Sequence, residues 1–354
     1  MTITFLFPNS GAQLSGGLKV VCEYANRLAA DGHDVHIAFA GSIFWSKKTW
    51  FYKLTGIVRY LQTWCKGYSC RGWFALDKRV KEHWCRSLNE RHVPQSDIYI
   101  CTSPYTAMYL KDYKSICKRF YFIQGYENWG GVTDEKLFET YHYPFKKFTV
   151  ASWLQSVVKS KGEDCDFIPN GFDFNYFYLS KPIDSRDKFC ISMLYHTSKL
   201  KGCDNSFKAL DIVHQKYPQV KVLLFGSHGQ PDNLPEWYTY YQTPEKAIHN
   251  SIYNSSAIYV GSSLSEGWCL TIGEAMACGC AVACTDIPGY REMAKDNETA
   301  LLSPVGDPEA MAANIIRLIE DDALRCRIAE AGNQNIQQYT WDKSYALLKQ
   351  VLFS

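Results

Sequence analysis

No apolar run in the 354 residues reaches the length that a helix needs to cross a bilayer, so no helical membrane span is expected. Net charge is also scarce. Lys and Arg total 38 against 36 Asp and Glu, a balance of +2, and the chain as a whole does not read as a nucleic-acid binder. The fourteen cysteines include no Cys-x-x-Cys pair and no neighbouring His cluster, which argues against structural zinc. No signal peptide is recognisable, and free thiols in a reducing cytoplasm are the expected state. Gly-x-Gly-x-x-Gly is missing, which disfavours dinucleotide binding. What is present is a globular composition, 46% hydrophobic and 21% charged, in a length that suits two domains.

The stretch Ser262 to Asp286 organises the rest. Ala257 to Val260 is short and apolar enough for a buried strand. Small polar residues and Gly267 follow, as in a loop at a strand's carboxyl end. Thr271 and Glu274 have the spacing of a capping box, which predicts a helix from Thr271. Gly279 ends that helix, and Ala281 to Cys284 reads as the next strand. Strand, loop, helix, strand is one turn of a parallel α/β sheet, which binds ligands outside the carboxyl ends of its strands. Two acids sit there. Glu274 either caps its helix or reaches a ligand. Glu266, between Ser265 and Gly267, is either solvated or accepts hydrogen bonds from a polyhydroxylated ligand.

The amino-terminal end repeats the logic. Ile3 to Phe7 is a strand, and Leu18 to Ala30 a helix with Leu18, Val21, Cys22, Ala25 and Leu28 on one face. Gly32 stops it before a strand at Val35 to Ala40. Gly16 and Gly17, at the strand-to-helix turn, either shape a tight turn or let backbone approach a ligand. Residues 42–91 differ in character: eleven bases face three acids, a local charge of +8, among many aromatics. Within them, residues 44–66 have helical apolar spacing with basic flanks. They either contact an anionic membrane surface or cover the sheet as an ordinary surface helix.

Further strands are expected at Asp97 to Thr102, Arg119 to Gln124, Phe148 to Ser152, Phe189 to Leu194 and Val220 to Phe225. Helices are expected from Trp153, over Asn205 to Lys216, at Met311 to Glu320 and at Ala323 to Ala331. Trp237 to Thr243 is an aromatic stretch before a helix at Pro244 and Glu245.

Glu266-Gly-Trp-Cys-Leu-Thr-Ile-Gly-Glu-Ala-Met-Ala-Cys-Gly-Cys-Ala-Val282 resembles the signature of retaining GT-B glycosyltransferases of the family 4 type. Cys269 stands where Gly is usual there, and Ala281 where Pro is usual. Lys201-Gly202 and Ile168-Pro-Asn-Gly-Phe-Asp173 fit the same resemblance. Tyr121-Phe-Ile-Gln-Gly-Tyr-Glu127 is similar to a subgroup that includes rhamnosyltransferase-like enzymes. The resemblance implies two Rossmann-like domains with parallel sheets facing a central cleft. It divides them as 1–178 for the acceptor and 179–340 for the donor, with a final helix at 341–354 packing back on the first.

It further implies transfer of a sugar from a nucleotide-diphosphate donor to a hydroxyl of a glycan or lipid-linked glycan, with retention, in the cytoplasm or on the membrane's inner face. No Asp-x-Asp stands at a plausible place, so the diphosphate is expected to be held without a metal or other cofactor. The residues carried over are Glu266, Lys201, Gln124 and Glu127 for catalysis. Gly16, Gly17, His196, Lys199, Gly267, Leu270, Thr271 and Glu274 are carried over for substrate binding. His196 stands near the family's usual Arg, and the His common near Gln124 is missing. Those departures leave room for a GT-B-shaped binding or scaffolding partner without activity, and less readily for a nucleotide-sugar epimerase.

Overall fold

The computed structural model describes residues 1–8, 15–41, 58, 60–62, 65, 69–128 and 131–354. Residues 44–66, offered above as a membrane contact, lie almost wholly outside them. The chain forms two compact units, Met1–Pro169 with Tyr345–Ser354, and Asn170–Ser344. The boundary proposed at 178/179 falls inside the first turns of the second unit. No helix among the described residues is long and apolar enough to cross a membrane.

Unit one is built on seven parallel strands in the order β3-β2-β1-β4-β5-β6-β7. These are β1 Thr2–Phe7, β2 Asp34–Ala40, β3 Lys81–Cys85, β4 Ile98–Cys101, β5 Lys118–Ile123, β6 Lys146–Thr149 and β7 Asp166–Phe167. Central strands covered on both faces read as continuous apolar runs, as β1 does. Its Ile3, Phe5 and Leu6 are fully buried, and each such side chain contributes about 1.5–3 kcal/mol. Helix α1, Gly16–Ala30, is capped by Ser15, whose hydroxyl accepts from Leu18 N–H. Its expected inner face is buried at every position. Helices α2 Pro104–Leu110, α3 Asp134–Tyr141 and α4 Ser152–Lys159 complete the layers. The last ten residues return to this unit. There the Tyr345 hydroxyl donates to Asp31 at 2.9 Å and Lys349 Nζ donates at 3.1 Å.

Four strands were not anticipated, the short Asp166–Phe167 and Leu301–Ser303 among them. β3 lies in the basic segment and is an edge strand with only Cys85 buried. In unit two, β10 Tyr238–Gln242 occupies the stretch read only as aromatic, and is also an edge.

Unit two carries six parallel strands in the order β10-β9-β8-β11-β12-β13. The others are β8 Cys190–Leu194, β9 Lys221–Gly226, β11 Ile258–Gly261, β12 Ala281–Thr285 and β13 Leu301–Ser303. Helices α5 Cys203–Lys216, α6 Lys246–Ser255, α7 Leu270–Ala277, α8 Pro288–Arg291, α9 Pro308–Glu320 and α10 Asp322–Ile336 flank them, and α11 Trp341–Phe353 ends the chain. Strand order reverses between β8 and β11, as it does between β1 and β4 in unit one. In a doubly wound sheet the reversal point opens a crevice at the strands' carboxyl ends, and that is where ligands bind.

Candidate functional site

The loops leaving β8 and β11 meet at the reversal point of unit two. After β8, a short 3-10 turn at Lys199–Lys201 leads through Gly202 into α5. After β11, Ser262 and Ser263 begin the loop to α7. Backbone and hydroxyls tie the two loops together. Leu264 N–H donates to Leu200 O at 2.8 Å. Ser206 donates to the Ser262 hydroxyl at 2.6 Å, and that hydroxyl donates to Gly202 O at 2.7 Å.

On this frame Lys201 Nζ reaches Glu266 Oε1 at 2.6 Å, and the Ser263 hydroxyl donates to the same oxygen at 2.7 Å. The Lys201 side chain keeps 29% of its exposure and that of Glu266 11%. Burial works to lower the Lys201 pKa. Glu266 and Cys269 outweigh it and hold the ammonium above its usual range. Glu266 is braced from behind by α8, where a side chain on Gly289 would begin 2.2 Å from Glu266 O. The two residues singled out most strongly in sequence are thus one ion pair, open to solvent on one side.

The capping box at Thr271 and Glu274 does not form. α7 begins one residue earlier, with Cys269 at its N-cap, and the Cys269 thiol lies 3.3 Å from the Thr271 hydroxyl. Glu274 is instead buried at 4% exposure and accepts from the Tyr253 hydroxyl at 3.3 Å. Leu270 and Thr271 form the first turn of α7, and Gly267 lies in the loop before it. Cys269, at the position where Gly was usual, is only 5% exposed. Burial, with Glu266 next, pushes its thiol up to about 11, which leaves it protonated and inert at neutral pH. The Asn170–Asp173 turn packs on the same helix, with the Phe172 ring set where a side chain on Gly273 would stand.

Lys199 is exposed at the start of the turn. His196 is half-buried; its Nδ1 accepts from Ser198 N–H at 2.9 Å, and its ring lies 4.4 Å from that of His228. His228 and Ser263 were not singled out in sequence. The Ser-Ser pair inside the organising stretch was the available signal for Ser263. Nothing local marked His228, because its partner is contributed by another strand.

Unit one places Gly16, Gly17, Gln124 and Glu127 separately. Gly16 and Gly17 are the first residues of α1 rather than loop. A side chain on Gly17 would begin 3.1 Å from Gln124 Oε1, so the Gln124 amide lies over that helical turn at the end of β5. Glu127 follows in the next loop. Its Oε2 is enclosed and has no hydrogen-bond partner among the described residues. Burial pushes this carboxyl up to about 8, which keeps it protonated at neutral pH. Among the described residues no group of three or more His, Cys, Asp and Glu side chains is placed to hold a metal ion.

Two doubly wound units of this kind define the GT-B class of fold, and solved structures agree. The chain superposes along its whole length, 100% of it and 99% of the other, on Anabaena HepE in complex with UDP and glucose, with a TM-score of 0.72 at 14% identity. A sucrose-phosphate synthase from Thermosynechococcus elongatus matches with a TM-score of 0.71 at 15% identity, covering 99% and 98% of the two chains. Residues 180–335 match the model of the family Glycosyl transferases group 1. Among curated relatives, the phosphatidyl-myo-inositol mannosyltransferase of Mycobacterium tuberculosis (strain CDC 1551 / Oshkosh) is 28% identical over 198 residues, 52% of each chain. That of Mycolicibacterium smegmatis is 27% identical over 205 residues, 55% of this chain and 53% of the other. The matched region thus spans about half the length of the curated relatives.

Proposed function

We propose that this chain is a retaining glycosyltransferase that moves a sugar from a nucleotide-diphosphate donor to a hydroxyl of a glycan or lipid-linked glycan, without a metal. The observation that carries the reading is the Lys201–Glu266 pair at the reversal point of unit two. Its two halves fit the two halves of such a donor. The ammonium compensates the diphosphate, above all as the leaving group gains charge. The carboxylate and the Ser263 hydroxyl bind sugar hydroxyls. The first turn of α7 adds backbone N–H groups for the phosphates, and Glu274 is assigned to the ribose. In unit one, Gln124 and the protonated Glu127 are assigned to the reacting end, where Glu127 can donate as well as accept a hydrogen bond. The lipid-linked acceptor draws support from the names of the mycobacterial relatives, and the nucleotide sugar from the UDP complexes of HepE.

The test is donor turnover, read as nucleotide release, across uridine, guanosine, thymidine and adenosine diphosphate sugars with a glycan acceptor panel. Glu266→Gln and Lys201→Met should each lower kcat/KM by about 100-fold or more while circular dichroism stays unchanged. Wild-type rates in Glu266→Gln would sink the assignment.

A further inference from the structure

His196 and His228 stand at the carboxyl ends of neighbouring strands β8 and β9. Their ring planes are inclined by 67°. His196 is fixed by its own turn. Its Nδ1 accepts from Ser198 N–H at 2.9 Å, and its backbone N–H meets Cys203 Sγ at 3.4 Å. A ring nitrogen that accepts carries no proton, so the neutral ring bears its hydrogen on Nε2. The bond from Ser198 to a side chain two residues back is the pattern of an Asx-turn, with imidazole in the carboxamide's place. The turn it shapes runs directly into Lys199, Leu200 and Lys201, and Ser198 O accepts from Lys201 N–H at 3.0 Å.

We propose that neutral His196 is the strut that holds Lys201 in its donor-binding position, and that acid switches donor binding off by releasing it. A second proton on the imidazole must sit on Nδ1, where it faces the Ser198 N–H donor head-on. The bond is lost, two donors repel, and the turn carrying Lys201 loses its anchor. The groups facing His196 set where this happens. Burial lowers its pKa first, then His228 from the β9 loop and Lys201 on the same turn, and Glu266 from the β11 loop opposes them. Cys203, at the start of α5, is held as a neutral thiol by burial. The switch therefore lies below the ordinary histidine range, and the site is assembled at neutral pH.

The inference rests on the transferase reading above, and the experiment separates the two. UDP-glucose and GDP-mannose are titrated into the full chain by calorimetry at pH 7.5 and pH 5.0. Both diphosphate esters keep a constant charge over that range, so the protein supplies any change. Affinity should be measurably weaker at pH 5.0 than at pH 7.5. His196→Asn supplies the same acceptor without titrating. Its affinity should be the same at the two pH values. His196→Ala should bind weakly at both pH values. His228→Gln should keep the switch and move it to higher pH. Binding by wild type that is flat or tighter in acid overturns the inference, as does acid sensitivity that persists in His196→Asn. Failure of uridine, guanosine, thymidine and adenosine diphosphate sugars alike to bind at pH 7.5 overturns the transferase reading and the inference with it.

Discussion

Gly202→Ala should cost unit two more than the loss of a permissive backbone alone. Gly202 sits between Lys201 and α5 at φ 60°, in the left-handed region. A side chain there carries a penalty of about 1–2 kcal/mol. The added carbon would also stand 2.0 Å from Ser262 O, which is backbone and cannot swing away. Relieving such a contact costs roughly another 1–3 kcal/mol. The sum is about 2–5 kcal/mol. At about 2–4 °C per kcal/mol for a domain of this size, the thermal midpoint should fall by roughly 4–20 °C. Gly306 gives the control within the same unit. It has φ 77° and nothing within 4 Å of where a side chain would start, so Gly306→Ala should pay only the backbone term. Both variants are melted side by side by circular dichroism, and donor binding is titrated on each. Gly202→Ala should also bind donor weakly, because Lys201 must shift when the Ser262 loop does. Equal midpoints for the two variants, or undisturbed donor binding in Gly202→Ala, would refute the idea that this close approach builds the site.

Glu127 makes a pH prediction. Its carboxyl is raised from 4.5 to about 8 by burial, so between those values the folded chain keeps a proton that the unfolded chain has lost. That contribution to stability is complete below pH 4.5 and is lost as pH rises through 8, with a slope of at most about 1.4 kcal/mol per pH unit. Glu127→Gln should flatten the urea midpoint over this window, and an unchanged slope would remove the claim. Arg186 is 4% exposed and donates to Lys181 O at 2.9 Å, Ser256 O at 3.0 Å and Cys278 O at 2.5 Å. Arg186→Met strands those carbonyls and should cost on the order of 3–5 kcal/mol in urea unfolding. Arg186→Lys, without the planar fork, should recover less than half of that loss.

The parts of the fold legible in sequence were those where burial writes the pattern. β1, β2, β8, β9 and β12 are apolar runs because helices cover their sheets on both faces, and α1 repeats its apolar face because one side meets the sheet. β3 and β10 were illegible for the converse reason. As edge strands they are half-covered, and Lys81, Glu82 and His83 or Thr239 and Tyr240 satisfy a ladder without an apolar run. The Thr271–Glu274 spacing misled because tertiary packing overrode a local rule: Tyr253, twenty-one residues before Glu274, competes for that carboxyl. The site residues were nameable from a motif, but their pairing was not. Lys201 and Glu266 are 65 residues apart, and His196 meets His228 only because β8 and β9 are neighbours in the sheet.

That pairing has a consequence for how the site stands without its ligand. A lone ammonium or carboxylate at 29% or 11% exposure would lose solvation without return. Paired, each holds the other in place, and Ser263 fixes the carboxylate. Under the proposed function, a donor that brings a diphosphate and hydroxyls would exchange both contacts at once and leave neither group unmet. A nucleoside diphosphate alone would take Lys201 and leave Glu266 to Ser263. The same reasoning orders the variants in stability. Lys201→Met and Glu266→Gln should each lose about 1–3 kcal/mol, since each leaves a partner unpaired. The double variant, with no charge left to satisfy, should lose less than the sum of the two by at least about 0.5 kcal/mol. Additive losses in urea unfolding would mean that the 2.6 Å contact contributes nothing to the fold. The ion pair would then have to be understood through the ligand alone.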